Sequence, residues 1–211
     1  MAEYCKMPYL SVRLMKLYLS GYPKDKAADI RAKTLSVYRE LVGKAPDIGG
    51  KKNPMSSNLY MALGIFALCD ASEGDLTPEK LDGIIKNLYP ENVPILGSAA
   101  DMNKPKVRKA MFSYFSGIGK KISEKKAKGE WNNTWVLEPL PDESGKSVAF
   151  NLHGCPIADF ARENGYMEYM PVICGSDHAA AAFMHARLIR EHTVAEGYDI
   201  CDYRYVGDRE K

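Results

Sequence analysis

The chain has 211 residues, 45% hydrophobic and 27% charged, with a formal net charge of +2. That length supports one large domain or two small ones packed together, with a substantial core, and so even a charge balance does not by itself imply a polyanionic partner. No apolar run reaches the roughly 18 residues of a membrane span. The opening MAEYCKMPYLSVRLMK has neither the apolar core nor the cleavage site of an export signal, so a cytoplasmic location is expected.

The first 128 residues read as mainly helical. From Asp25 to Val42, Ile30, Val37, Tyr38 and Leu41 recur at helical spacing, and Gly43 stands where a helix would end. After the turn DIGGKKNP (47–54), Ser56 or Ser57 is placed to cap a helix with a buried stripe of Leu59, Ala62, Leu63, Phe66 and Cys69. Thr77 with Pro78 starts another, carrying Leu81, Ile84, Ile85 and Leu88 inward and closing at Pro90. A long helix is expected from Pro105 to Lys126. Its many lysines lie off the apolar stripe of Val107, Met111, Phe115, Ile118 and Ile122, which makes a solvated face rather than a nucleic-acid grip.

Beyond Gly129 the pattern changes. Residues 131–138 and 147–152 read as strands around the turn PDESG, residues 156–164 as a short helix, and Asp177 to Met184 as a further helix. Residues 187–194 and 201–206 read as strands joined about Gly197. The expected fold is α+β: a helical N-terminal half packed on a small antiparallel sheet with C-terminal helices, in a single domain over 1–211.

Residues 153–205 hold all four histidines and three of the five cysteines. An odd number of scattered cysteines argues against a disulfide framework. Cys155 precedes Pro156 at a helix start, where amide dipoles favour an anionic thiolate. Cys174 lies in Cys-Gly-Ser-Asp-His, with Ser176 or Asp177 as the expected cap, so thiol, carboxylate and imidazole fall within five residues. The alternative for both thiols is a small buried side chain. A hairpin symmetric about Gly197 would set Thr193 opposite Cys201 and Glu191 opposite Tyr203, with Asp202 and Arg204 forming an ion pair on the other face. His153 is two residues from Cys155, a strand spacing that shares a face, while His185 reads as a surface or core-edge residue. GGK at 49–51 lacks the spacing of a phosphate loop.

The segment CPIADFARENGYMEYMPVICGSDHAAAAFMHARLIREHTVAEGYDICDYRYV (155–206), with IGGKKNP (48–54) and NNTWVLE (132–138), resembles the L-2-amino-thiazoline-4-carboxylic acid hydrolase family. The resemblance implies hydrolytic opening of a cyclic amidine: water adds at the carbon between nitrogen and sulfur, and sulfur leaves as thiolate to give N-carbamoyl-L-cysteine. It implies Cys174 as nucleophile or thiolate stabiliser, His178 or Asp177 as base and Arg190 or Arg204 as carboxylate clamp. Cys201, Thr193 and Cys155 would line the same site, with no cofactor. The end EHTVAEGYDICDYRY (191–205) is also similar to vinyl-reductase-type small-molecule-binding domains, which suggests a homodimer and, alternatively, a binding or sensor role. Arg190 and Thr193 stand where zinc-binding members of that group carry ligands, which argues against a metal there.

Overall fold

The computed structural model describes residues 6–92 and 100–210, with side chains described except at 89–92. Seven α-helices and four strands are present among them: α1 (Tyr9–Leu19), α2 (Lys24–Lys44), α3 (Ser56–Ala71), α4 (Pro78–Asn92), α5 (Pro105–Lys126), β1 (Val136–Leu140), β2 (Ser147–His153), α6 (Pro156–Asn164), α7 (Met170–Phe183), β3 (Ala186–Ile189) and β4 (Ile200–Gly207). The sheet is antiparallel throughout, in the order β1-β2-β4-β3. The α+β reading therefore holds, with α2, α5 and α6 close to their expected bounds. Helix α4 runs on through Pro90 to Asn92, and α1 was not anticipated as an element.

Helix α3 is the centre of the helical half. Twelve of its 16 residues are buried, on every side and not along one stripe, because α1, α2 and α6 all pack against it. A helix apolar all round is the signature of a core element. Phe66 is fully buried and stacks on Tyr166, with centroids 4.5 Å apart, and on Phe160 at 6.3 Å. Tyr166 also donates from its hydroxyl to Asp70 Oδ2 at 2.6 Å. These contacts tie α6 and the entry to α7 onto the core helix.

Pairwise register sorts the sheet into two faces. Leu137, Phe150, Leu152, Cys201, Tyr203 and Tyr205 share the face toward the helices, and Phe150 stacks on Tyr203 with centroids 4.9 Å apart. Glu138, Asn151, His153, Asp202 and Arg204 share the opposite face. Helix α5 lies on β1 and β2. Gly119 permits the approach, since a Cβ there would stand 2.6 Å from the Leu137 carbonyl oxygen.

The first strand is shorter than expected. Trp131 has φ +54°, so the chain turns there, and pairing begins only at Val136. The intervening residues join the 47–54 turn instead. Asn53 Nδ2 donates to the Ile48 carbonyl at 2.6 Å and to Thr134 Oγ1 at 2.8 Å, all buried. Gly49 at φ +98° lies so close to Trp131 that a Cβ would fall 2.1 Å from the indole nitrogen. Gly49→Ala combines left-handed strain with an overlap, and is expected to destabilise the fold by about 2–4 kcal/mol. The urea midpoint measures it.

Candidate functional site

Helix α7 positions three of the expected site residues, Cys174, Asp177 and His178, but it begins seven residues earlier than expected. The single turn Met167–Tyr169 leads straight into it, and Pro171 in its first turn supplies a helical φ without losing a hydrogen bond. Cys174, Ser176 and Asp177 thus sit on interior turns, and neither Ser176 nor Asp177 caps the helix. The Ser176 hydroxyl donates back to the Ile173 carbonyl at 2.7 Å. What helical spacing does achieve is to place Asp177 and His178 three and four residues beyond Cys174, on one side of the helix.

Arg190 follows the end of β3 and reaches across to α7. Its Nη1 donates to Asp177 Oδ2 at 2.7 Å and to Tyr203 Oη at 3.1 Å, and its Nη2 donates to the Cys174 carbonyl at 2.9 Å. Tyr203 closes the triangle by donating to Asp177 Oδ2 at 2.8 Å, and the guanidinium lies 5.1 Å from the Tyr203 ring centroid. The Arg190 side chain is only 5% exposed. Burial opposes its charge, but Tyr203 and Asp177 more than offset that and raise its pKa. Burial and then Asp177 hold the Tyr203 phenol well above its usual range, so it stays a donor.

This group borders a cavity of about 300 Å³ whose wall includes Met170, Cys174, His178, Arg190, Thr193 and Glu196. Asp177 does not line it and instead backs Arg190. Thr193 is buried; its hydroxyl donates to Glu196 Oε2 at 2.7 Å and accepts from the Glu196 amide. Cys174, His178, Arg190 and Thr193 are therefore brought to one cavity.

The remaining expected residues go elsewhere. Cys201 is buried behind the cavity, accepting from the Val194 amide at 3.2 Å. The hairpin register differs by one residue from symmetry about Gly197: Ile189 pairs with Arg204 and Leu188 with Tyr205. Thr193 has left the strand by then and caps the turn Val194–Glu196. The Glu191–Tyr203 pair does not form either; the Glu191 and His192 amides donate to Asp202 instead. With its carboxylate so occupied, Asp202 makes no ion pair with Arg204. Arg204 is exposed on the open face of the sheet, away from the Arg190 cavity. Strand β2 ends at His153, so His153 and Cys155 do not share a strand face; both line a second cavity. His185 has φ +53° and faces Asp208 at 3.5 Å.

Cys155 caps α6 as expected, its sulfur accepting from the Ala158 amide at 3.4 Å. The thiol is not acidic. Burial pushes it up by more than the Ala158 and Ile157 amides and the Trp135 indole pull it down. Burial, with Cys155 next, pushes Cys174 up to about 12 despite Arg190, and burial raises Cys201. Cys69 is likewise pushed up by burial to about 12. Dipoles at a helix start lose here to desolvation. Above pH 9 an unfolded chain releases thiol protons that the folded chain keeps, so stability falls as pH rises toward 12. The urea midpoint is expected to drop between about pH 8 and pH 10, and to drop less in Cys174→Ala.

Among the described residues no three His, Cys, Asp or Glu side chains are grouped to hold a metal ion, and no helix is long and apolar enough to cross a membrane. The helix-backed sheet and the cavity beside its last hairpin define an α+β protein with a small-molecule-sized site. Residues 57–205 match the family model described as L-2-amino-thiazoline-4-carboxylic acid hydrolase, and the chain belongs to that family. No curated protein and no solved structure matches it.

Proposed function

We propose that the chain is a hydrolase that opens a small cyclic amidine or amide bearing a carboxylate, of the L-2-amino-thiazoline-4-carboxylate type, in the cavity at Arg190. The observation that carries this reading is a buried guanidinium on a cavity wall beside a thiol and an imidazole. Arg190 commits three of its N–H groups to Asp177, Tyr203 and the Cys174 carbonyl. Its remaining N–H groups are the carboxylate clamp, and Asp177 and Tyr203 fix their direction. Asp177 is thus a positioning residue.

His178 lines the cavity, its imidazole has no hydrogen-bond partner among the described residues, and it serves as the base for the attacking water. A thiol pushed up to about 12 is a poor nucleophile near neutral pH, so Cys174 acts as a neutral thiol against the ring. Glu196 on the same wall complements the amidinium end of the substrate. In the reaction a C–O bond forms from water at the ring carbon, the C–S bond breaks, and the sulfur leaves with the electron pair and takes up a proton.

The test is incubation with 2-aminothiazoline-4-carboxylate, followed by mass spectrometry for a product heavier by one water and by assay of the released thiol. Turnover is expected in the wild type, reduced by about 10²–10⁴-fold in His178→Ala and by much less in Cys174→Ser. Saturable binding of substrate without turnover would favour a non-catalytic binding module. Loss of all activity in Cys174→Ser, with the fold intact, would restore that thiol as nucleophile.

A further inference from the structure

The Arg190 cavity leaves unused the segments 132–134 and 153–156, which converge elsewhere. A second cavity of about 490 Å³ opens where the C-terminal ends of α2 and α5 meet the approach to β1 and the start of α6. Lys44, Lys126, Asn132, Asn133, His153 and Cys155 contribute to its wall. The wall is braced from behind by the buried Asn53–Thr134 hydrogen bond and by Trp131 packed on Gly49. It is a constructed recess between the two halves of the fold.

Its charges are unevenly matched. Lys126 donates to the Asn132 carbonyl at 2.8 Å, which leaves two ammonium N–H groups. Burial alone lowers its pKa, with no carboxylate to offset the cost. Lys44 has no ion-pair partner among the described residues. Of the two carboxylates on the α6 side, Asp159 is paired with Arg162 at 3.1 Å, and Glu163 is exposed. His153 faces Glu138 at 3.1 Å. The Asn132 and Asn133 amides donate to the Gly129 and Asp47 carbonyls, so their Oδ1 atoms are left as acceptors.

We propose that this cavity binds a small carboxylate that also carries an amide N–H. The carboxylate sits between Lys126 and Lys44, and the N–H is accepted by an Asn132 or Asn133 side chain. A partly desolvated ammonium without a counter-ion gains most from an anion, through short charge-assisted hydrogen bonds. The site is separate from the ring-opening site and stands whether or not that activity is found.

The protein contains two tryptophans, and both stand just behind this wall: Trp131 packs on Gly49 and the Trp135 indole hydrogen-bonds to Cys155, a wall residue, so indole fluorescence reports on the cavity. Titration with N-acetylglycine is expected to give a saturable fluorescence change. N-acetylglycinamide, which lacks the carboxylate, is expected to give none. The midpoint should rise by about tenfold in Lys126→Met and also rise in Lys44→Met, a second variant should the first fold poorly. It should stay unchanged in His178→Ala, at the other cavity. No saturable change in the wild type, an equal response to N-acetylglycinamide, or unaltered midpoints in both lysine variants would overturn the proposal.

Discussion

Arg190→Met is expected to abolish ring opening and to lower the folding stability by about 2–3 kcal/mol. The substitution removes three hydrogen bonds at once and leaves Asp177 and Tyr203 facing each other without the cation between them. Breaking a fully buried pair costs more, but Asp177 keeps 35% of its side chain in solvent and can rehydrate. Arg190→Lys separates the two effects. A lysine restores one charge without the planar fork, so it is expected to recover part of the stability and little of the activity. Urea denaturation and steady-state turnover on the same preparations measure both.

The largest effect on stability is expected at Phe66. Phe66→Ala should cost about 3–5 kcal/mol, because a fully buried ring leaves a cavity that the stacked Tyr166 and Phe160 cannot both collapse into. For a domain of this size each kcal/mol is worth about 2–4 °C in melting temperature, so calorimetry should resolve it readily. The site should suffer as well. Tyr166 and Asp70 hold the turn that leads into α7, and α7 carries Cys174, Asp177 and His178.

The parts of the fold that were legible in the sequence are those whose boundaries are set locally. Proline at the first helical position marks α5 and α6, and the Asp142 turn joins β1 to β2, with Asp142 Oδ2 accepting from the Ser147 amide at 2.7 Å. Helix α3 was legible as a helix but not as the core, since only its neighbours decide that all sides are covered. The start of α7 was misread because Gly-Ser-Asp has the composition of a cap. The turn before it and Pro171 govern instead, and Gly175 is absorbed into the helix interior.

At the site, the nearness of Cys174 to His178 is legible in the chain, and the family resemblance implies that Arg190 and Thr193 join them, but neither gives their chemical states. An acidic thiol was expected from position along the helix, whereas burial, a tertiary property, decides the sign at Cys155 and Cys174. Arg204 looked equivalent to Arg190 as a clamp, but strand alternation sends it to the open face. Tyr203 was missed as the third member of the Arg190–Asp177 group. Its signal was present: the alternation that excludes Arg204 puts Tyr203 on the helix-facing side.

The most direct test is a crystal structure with N-carbamoyl-L-cysteine bound. Its carboxylate is expected within about 3 Å of the Arg190 guanidinium, with the carbamoyl group toward His178 and Glu196. An Arg190 cavity left empty at saturating ligand, with the compound held elsewhere on the chain, would contradict it.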